Sequence, residues 1–378
     1  MKIEALSVRS IITNRDGVHN FIAWPSVARL RNGYLAATAS GFRINHLCPF
    51  GKVVMSVSPD EGKTWSIPAI VIDTPLDDRD SGIVPFGESS VMVTSFNNGL
   101  RAYDAMNGCT QEKEAGAYYE AYYAMMEKKQ DPERYSGSYY RISHNNGLTF
   151  GEIRYVPVTN PHGPALLPDG TFFWVGNLIR NDSRGGLACY KIRQDGSCEY
   201  LCDIPAVEGL VSDEPHAIVL DDGTILVHIR MENLPGQPRI FTTYQSESYD
   251  GGRTFTKPHS IGISDEGGSP PHLICADGTL ISVYGHRQRP FSIRAAFSRD
   301  RGKTWDVENV ITEVETEYGD IGYPCSVALK DGSILTVYYA SDDYPANQTF
   351  YGFADPERPV RRYTTPVIRQ VIWRYEEG

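Results

Sequence analysis

Short apolar runs alternate with polar turns along the whole chain, and five of them share one layout. In four, a Pro opens the run, a turn Gly follows eight residues later, and an apolar strand comes next. Pro25 leads to Gly33 in WPSVARLRNGYLAAT, Pro215 to Gly223, Pro270 to Gly278 and Pro324 to Gly332. In the fifth, His162 takes the Pro place ahead of Gly170, and a weaker sixth copy turns near Gly87. Each unit reads as two strands joined by a Gly-containing hairpin turn. The turn glycines are spaced 53 to 55 residues apart, except for one gap of 83 between Gly87 and Gly170. Six evenly spaced hairpins predict an all-β chain in which small sheets repeat radially and so protect their edges. The long gap predicts an insertion of about residues 100–135 in the second unit. Within it, Tyr and Met recur at helical spacing from Glu112 to Lys129, so the insertion is expected to be helical.

A second pattern, Ser-x-Asp-x-Gly-x-Thr-aromatic, follows several strands. It runs from Ser58 to Trp65, Ser248 to Phe255 and Ser298 to Trp305, and a copy from Ser143 to Phe150 has Asn145 in the Asp place. An Asp side chain can accept backbone N–H groups in a tight turn, and Gly supplies positive φ. The aromatic residue is placed to plug between neighbouring sheets. These aspartates are therefore expected to be structural.

Composition narrows the function. The 378 residues carry a net charge of −11, which argues against nucleic acid as a partner. A locally basic pocket for a small anion remains compatible with it. No apolar stretch approaches the length of a membrane span, and the first residues lack the apolar core of a signal peptide. Seven cysteines, an odd number without a CxxC pair, fit a reduced cytoplasmic setting and no zinc site. Nothing calls for a metal or cofactor, since no phosphate-cradling Gly loop opens a helix. A homo-oligomer is left open.

The four Ser-x-Asp turns, in register with six hairpins, resemble the Asp boxes, or BNR repeats, of the sialidase superfamily. The resemblance spans nearly the whole chain and implies one six-bladed β-propeller domain over residues 1–378, with the N-terminal strand closing the ring beside strand 367–375. In such a ring the starts of the innermost strands meet at one end of the axis. The residues just before the repeat Pro are Trp24, Glu214, Ser269 and Tyr323, and Asp80 is phased like them. Second-strand exits offer Arg230, Arg43 and Arg287, while Arg294 opens the next strand of the fifth unit. A phenol needs a neighbouring base to act as nucleophile, and sialidases are the exception among glycosidases in using one. The resemblance implies Tyr323 as nucleophile, Glu214 as its base, and arginines clamping a substrate carboxylate. Spacing does not choose between Arg287 and Arg294.

Two features depart from that family. Ala23-Trp24-Pro25 stands where an Arg-Ile-Pro is expected, so one arginine is missing. The loop holding the family's acid/base Asp reads GFRINHLCPFG and contains no acid. The proton donor is then expected to be Asp80, Asp78 or His46. His162 and His216, near strand starts, are expected to line the pocket with Trp24. These readings predict a retaining glycosidase that releases a sialic acid or another carboxylated sugar. A glycosidase of different sugar specificity, a non-catalytic glycan-binding propeller and a scaffold displaying the Tyr-rich insertion are the competing expectations.

Overall fold

In the computed structural model, the described residues are 1–14, 19–43, 46, 48, 50–98, 124–125, 137–178, 186–233, 238–316, 319–341 and 366–376. They form six antiparallel sheets arranged as a six-bladed β-propeller. Each blade begins with an innermost strand and its hairpin partner. These pairs are Phe21–Arg29 with Leu35–Arg43, Asp77–Phe86 with Ser90–Asn98, and Leu210–Val219 with Ile225–Asn233 in blades 1, 2 and 4. Blades 5 and 6 use His272–Ala276 with Thr279–His286, and Gly322–Ala328 with Ile334–Ser341. In blade 3 the inner strand is split into Val158–Thr159 and Ala165–Leu166, both paired with Phe172–Leu178. The ring closes as the sequence predicts: Lys2–Ile12 is the outer strand of blade 6 and pairs antiparallel with Pro366–Glu376. The helical insertion expected at about 100–135 falls almost wholly outside the described residues.

The four Ser-x-Asp turns share one geometry. Asp60 Oδ1 accepts the Ser58 hydroxyl at 2.9 Å and the Thr64 amide at 2.8 Å, while Ser58 Oγ accepts the Gly62 amide at 2.9 Å. Asp250 and Asp300 repeat the pattern, and Asn145 reproduces it with its amide group. The aromatic that ends each turn reaches the preceding blade. Trp65 Nε1 donates to Gln370 Oε1 of blade 6 at 2.8 Å, and Trp305 Nε1 donates to Gln245 Oε1 of blade 4 at 2.7 Å. Phe255 packs on Phe173 of blade 3, and Phe150 joins the core shared by blades 1 and 2. The turns thus act between blades, where apolar side chains from adjacent sheets are buried together.

One ring of contacts runs around the axis just inside the strand starts. The Leu273 amide donates to His216 Nδ1 at 3.0 Å, the Ser326 amide to His272 Nδ1 at 3.2 Å, and the Val27 amide to Cys325 Sγ at 3.2 Å. Each side chain therefore binds the same backbone position of the next blade. His162 shares a hydrogen bond with Ser26 Oγ at 2.9 Å and packs edge-on against His272, with ring centroids 5.1 Å apart. This buried layer fills the axis beneath the strand starts.

Candidate functional site

Four inner strands carry the same irregularity at their start. In blade 1, Ala23 pairs with Ser40 and Ser26 with Thr38, leaving Trp24-Pro25 opposite a single residue. Asp80-Ser81, Glu214-Pro215 and Tyr323-Pro324 bulge identically in blades 2, 4 and 6. The first residue of every bulge adopts positive φ: 54° at Trp24, 35° at Asp80, 42° at Glu214 and 48° at Tyr323. Bulges re-aim side chains, and Pro, with no amide to donate, fits the unpaired place. A non-glycine residue at positive φ is strained and persists only where its surroundings hold it. Here neighbouring blades do so. Ser269 Oγ accepts the Tyr323 amide at 3.0 Å, Asn177 Oδ1 accepts the Glu214 amide at 3.2 Å, and Ser81 Oγ donates to the Trp24 carbonyl at 3.4 Å. Gly322, at φ 119°, is required in this arrangement, because a Cβ there would lie 2.1 Å from Ser269 Oγ.

The bulges bring blades 4 and 6 together. The Tyr323 hydroxyl donates to Glu214 Oε1, and Arg230 donates to Glu214 Oε2. Tyr323 is only 6% exposed, whereas the Glu214 side chain is 16% exposed, so the couple touches solvent through its carboxylate. Burial raises the Tyr323 pKa well above its ordinary value, and Glu214 and Asp80 push it further. A phenol so placed does not ionise by itself and needs a base in contact. Glu214 provides that contact. Burial opposes the charge on Arg230, but Glu214, Tyr323, Asp213 and Glu232 outweigh it and fix the guanidinium as a cation.

Among the three candidate donors, Asp80 joins this group. It is buried, and its pKa is raised to about 7, first by desolvation; the Arg79 charge opposes the rise and the Glu214 charge adds to it. Its Oδ1 has no hydrogen-bond partner among the described residues. Asp78 lies one pleat away and is tied up in the wall, accepting the Thr74 amide and hydroxyl at 2.7 Å each. His46, 30% exposed, faces Asp320 Oδ2 at 3.4 Å and stands edge-on to Trp24 at 5.0 Å between centroids. Burial lowers its pKa, and Asp320 opposes the change.

The arginines divide. Arg287 lies beside the couple, with its guanidinium 5.9 Å from the Tyr323 ring centre; it donates to the Ile321 carbonyl at 2.9 Å and to the Tyr339 hydroxyl at 3.3 Å. Arg294 does not: it pairs with Glu308 and Ser292 within blade 5. Strand geometry supplies the choice that spacing left open, since Arg287 follows the end of the second strand and Arg294 sits inside the third. Arg43 is fully buried and gripped by both oxygens of Asp77, so it builds the wall rather than reaching for a ligand. His162 and His216, expected to line the pocket, lie in the buried axial layer instead, packed against each other and against His272. Trp24 is also buried, with the Arg79 and Arg43 guanidiniums 4.1 and 4.7 Å from its ring centre.

Four residues of the site escaped sequence reasoning. Asp320 accepts the Tyr339 hydroxyl, faces His46 and lies 3.8 Å from Arg287. These partners outweigh its burial and hold its pKa at about 2. Arg79 donates to the His46 carbonyl at 2.6 Å, and Glu232 pairs with Arg230. Tyr339 had a usable signal: it stands seven residues after its turn Gly, as Arg230 does. Among the described residues no group of three or more His, Cys, Asp or Glu is placed to hold a metal ion.

The fold has many solved counterparts. A protein of unknown function from Dyadobacter fermentans DSM 18053 is 18% identical, with a TM-score of 0.72, and 99% of each chain is covered. A leech intramolecular trans-sialidase complexed with 2,7-anhydro-Neu5Ac is 13% identical, with a TM-score of 0.63 over 96% of this chain and 70% of its own. A Penicillium chrysogenum α-L-arabinanase complexed with arabinobiose is 12% identical, with a TM-score of 0.60 over 97% and 98%. No protein-family model matches the sequence, and no curated protein matches it either. At these identities the likeness establishes the sialidase-like six-bladed propeller, the architecture on which those glycosidases are built.

Proposed function

We propose that this protein is a retaining glycoside hydrolase that removes a terminal sugar from a glycan. The observation that carries the proposal is the contact between the Tyr323 phenol and the Glu214 carboxylate, delivered by two strained bulges with Asp80 beside them. In the first step Asp80 gives its proton to the departing glycosidic oxygen. The Tyr323 oxygen forms a bond to the anomeric carbon as the bond to the leaving group breaks, and the phenol proton passes to Glu214. In the second step water attacks the anomeric carbon, its proton goes to Asp80, and Tyr323 leaves and takes back its proton from Glu214. Two inversions give net retention. Arg230 holds Glu214 in place throughout, and Asp320 positions His46, Tyr339 and Arg287 around the couple. The Ser-x-Asp turns are read as Asp boxes of the same superfamily.

The test is a panel of aryl glycosides, sialosides and uronides included, assayed with wild type, Tyr323→Phe and Glu214→Gln. Turnover of at least one substrate is expected, with kcat/KM falling roughly a thousandfold or more in both variants. Unchanged turnover in Tyr323→Phe would refute the nucleophile. Absence of turnover throughout would refute the hydrolase.

A further inference from the structure

The charges around the Tyr323–Glu214 couple bear on what kind of sugar it can take. A carboxylated sugar needs a guanidinium fork to receive it. Every arginine described at the hub already has a protein carboxylate. Both oxygens of Asp77 accept from Arg43, and Asp77 Oδ2 also lies 3.4 Å from Arg79. Arg230 spends one terminal nitrogen on Glu214 and the other on Glu232. Arg287 turns one edge to the Ile321 carbonyl and has Asp320 at 3.8 Å. At the rim, Arg239 faces Glu266 at 3.8 Å. Asp78 and Asp80, buried, and Asp213, half-buried, then add three more acids, each with its pKa raised to about 7 by desolvation. Five guanidiniums are thus matched by Asp77, Glu214, Glu232, Asp320 and Glu266 before those three are counted. The net charge runs from zero with all three protonated to −3 with all three ionised.

A sugar carboxylate entering this set would meet Glu214 and Glu232 without an uncommitted cation among the described residues to offset them. Like charges juxtaposed at a buried interface cost several kcal/mol, and an unpaired buried charge costs more than a neutral polar group. Trp24 reinforces the point, because it fills the bulge where the sialidase pattern has an arginine. Among the described residues, buried polar atoms without a partner around the couple include Asp80 Oδ1, Arg230 Nε and Trp24 Nε1: one carboxyl oxygen and two N–H donors. A hydroxyl group, donor and acceptor at once, satisfies either kind.

We infer that the sugar bound at this site is uncharged, recognised through its hydroxyl groups rather than through a carboxylate. This rests on the reading of the hub as a glycosidase site. The experiment compares pairs of aryl glycosides that share ring configuration and differ only in bearing CH2OH or COO⁻ at C5, with an aryl sialoside alongside. The best neutral substrate is expected to exceed every carboxylated one in kcat/KM by roughly 100-fold; a uronide or sialoside that matches or beats the neutral sugars overturns the inference. Saturation-transfer NMR with the free sugars separates the two claims. Neutral sugars that bind but are not turned over refute the hydrolase and support the charge class. Binding confined to uronates or sialic acid, or binding of no sugar, refutes the charge class. Glu232→Gln releases one nitrogen of Arg230 and is expected to raise affinity for sialic acid or uronates about tenfold. Equal affinities in wild type and variant would show that the ion pair does not set the preference.

Discussion

The aspartates of the hairpin turns and those of the hub are the same residue in opposite states. Asp60, Asp250 and Asp300 sit at the surface, and the hydroxyl and amide of the Thr four residues on hold each pKa at about 2. Asp78 and Asp80 are buried near the axis and Asp213 is half-buried beside Glu214, and desolvation lifts each to about 7. The turn acids are permanently ionised and serve as fixed acceptors that close a loop. The hub acids can carry a proton near neutrality, which a general acid requires. Environment alone separates the two sets of acids here. It also separates the hub acids from one another: Asp78 has two Thr74 hydrogen bonds, while Asp80 Oδ1 has none among the described residues.

The sharpest way to break that comparison is Asp80→Asn. It is expected to lower kcat/KM roughly a thousandfold on glycosides with poor leaving groups, and far less on activated aryl glycosides that depart without a proton. Asp78→Asn should lack this leaving-group dependence; if the two variants behave alike, Asp80 is not the donor. A subtler check uses pH. The acid must be protonated to work, so wild-type kcat/KM should fall as pH rises through about 7, tenfold per unit beyond it. That limb should vanish in Asp80→Asn, and its survival would assign it to another group. The smallest effect concerns the turns. Asp300→Ala removes acceptors for Ser298 and Thr304 and should lower the melting temperature by roughly 2–4 °C with catalysis intact. A loss of activity without a loss of stability would give the turn acids a role this account denies them.

The propeller was legible because its physics is local. Hairpin turns announce themselves through Gly, and their even spacing carries the radial order without any long-range contact being known. The axial positions were legible for a related reason: Trp24, Glu214 and Tyr323 each precede a Pro at one fixed phase. The bulge that turns them inward is not written in that pattern, since it depends on pairing with a second strand and on clamps such as Ser269 and Asn177 from other blades. Partners joined only by tertiary structure stayed hidden for the same reason. Asp320 meets His46 across 274 residues of chain, and no spacing rule links them. Arg43 shows the converse error: its phase suited a ligand contact, but phase does not reveal that Asp77 has already closed its fork.

The central claim is that Tyr323 attacks the anomeric carbon with Glu214 as its base. A fluorinated glycosyl fluoride of the best substrate, incubated with the wild-type protein and followed by peptide mapping, reads it directly. A single sugar adduct on the Tyr323 peptide is the expected result, absent in Tyr323→Phe. An adduct on Glu214, or inactivation without any covalent sugar, would contradict it.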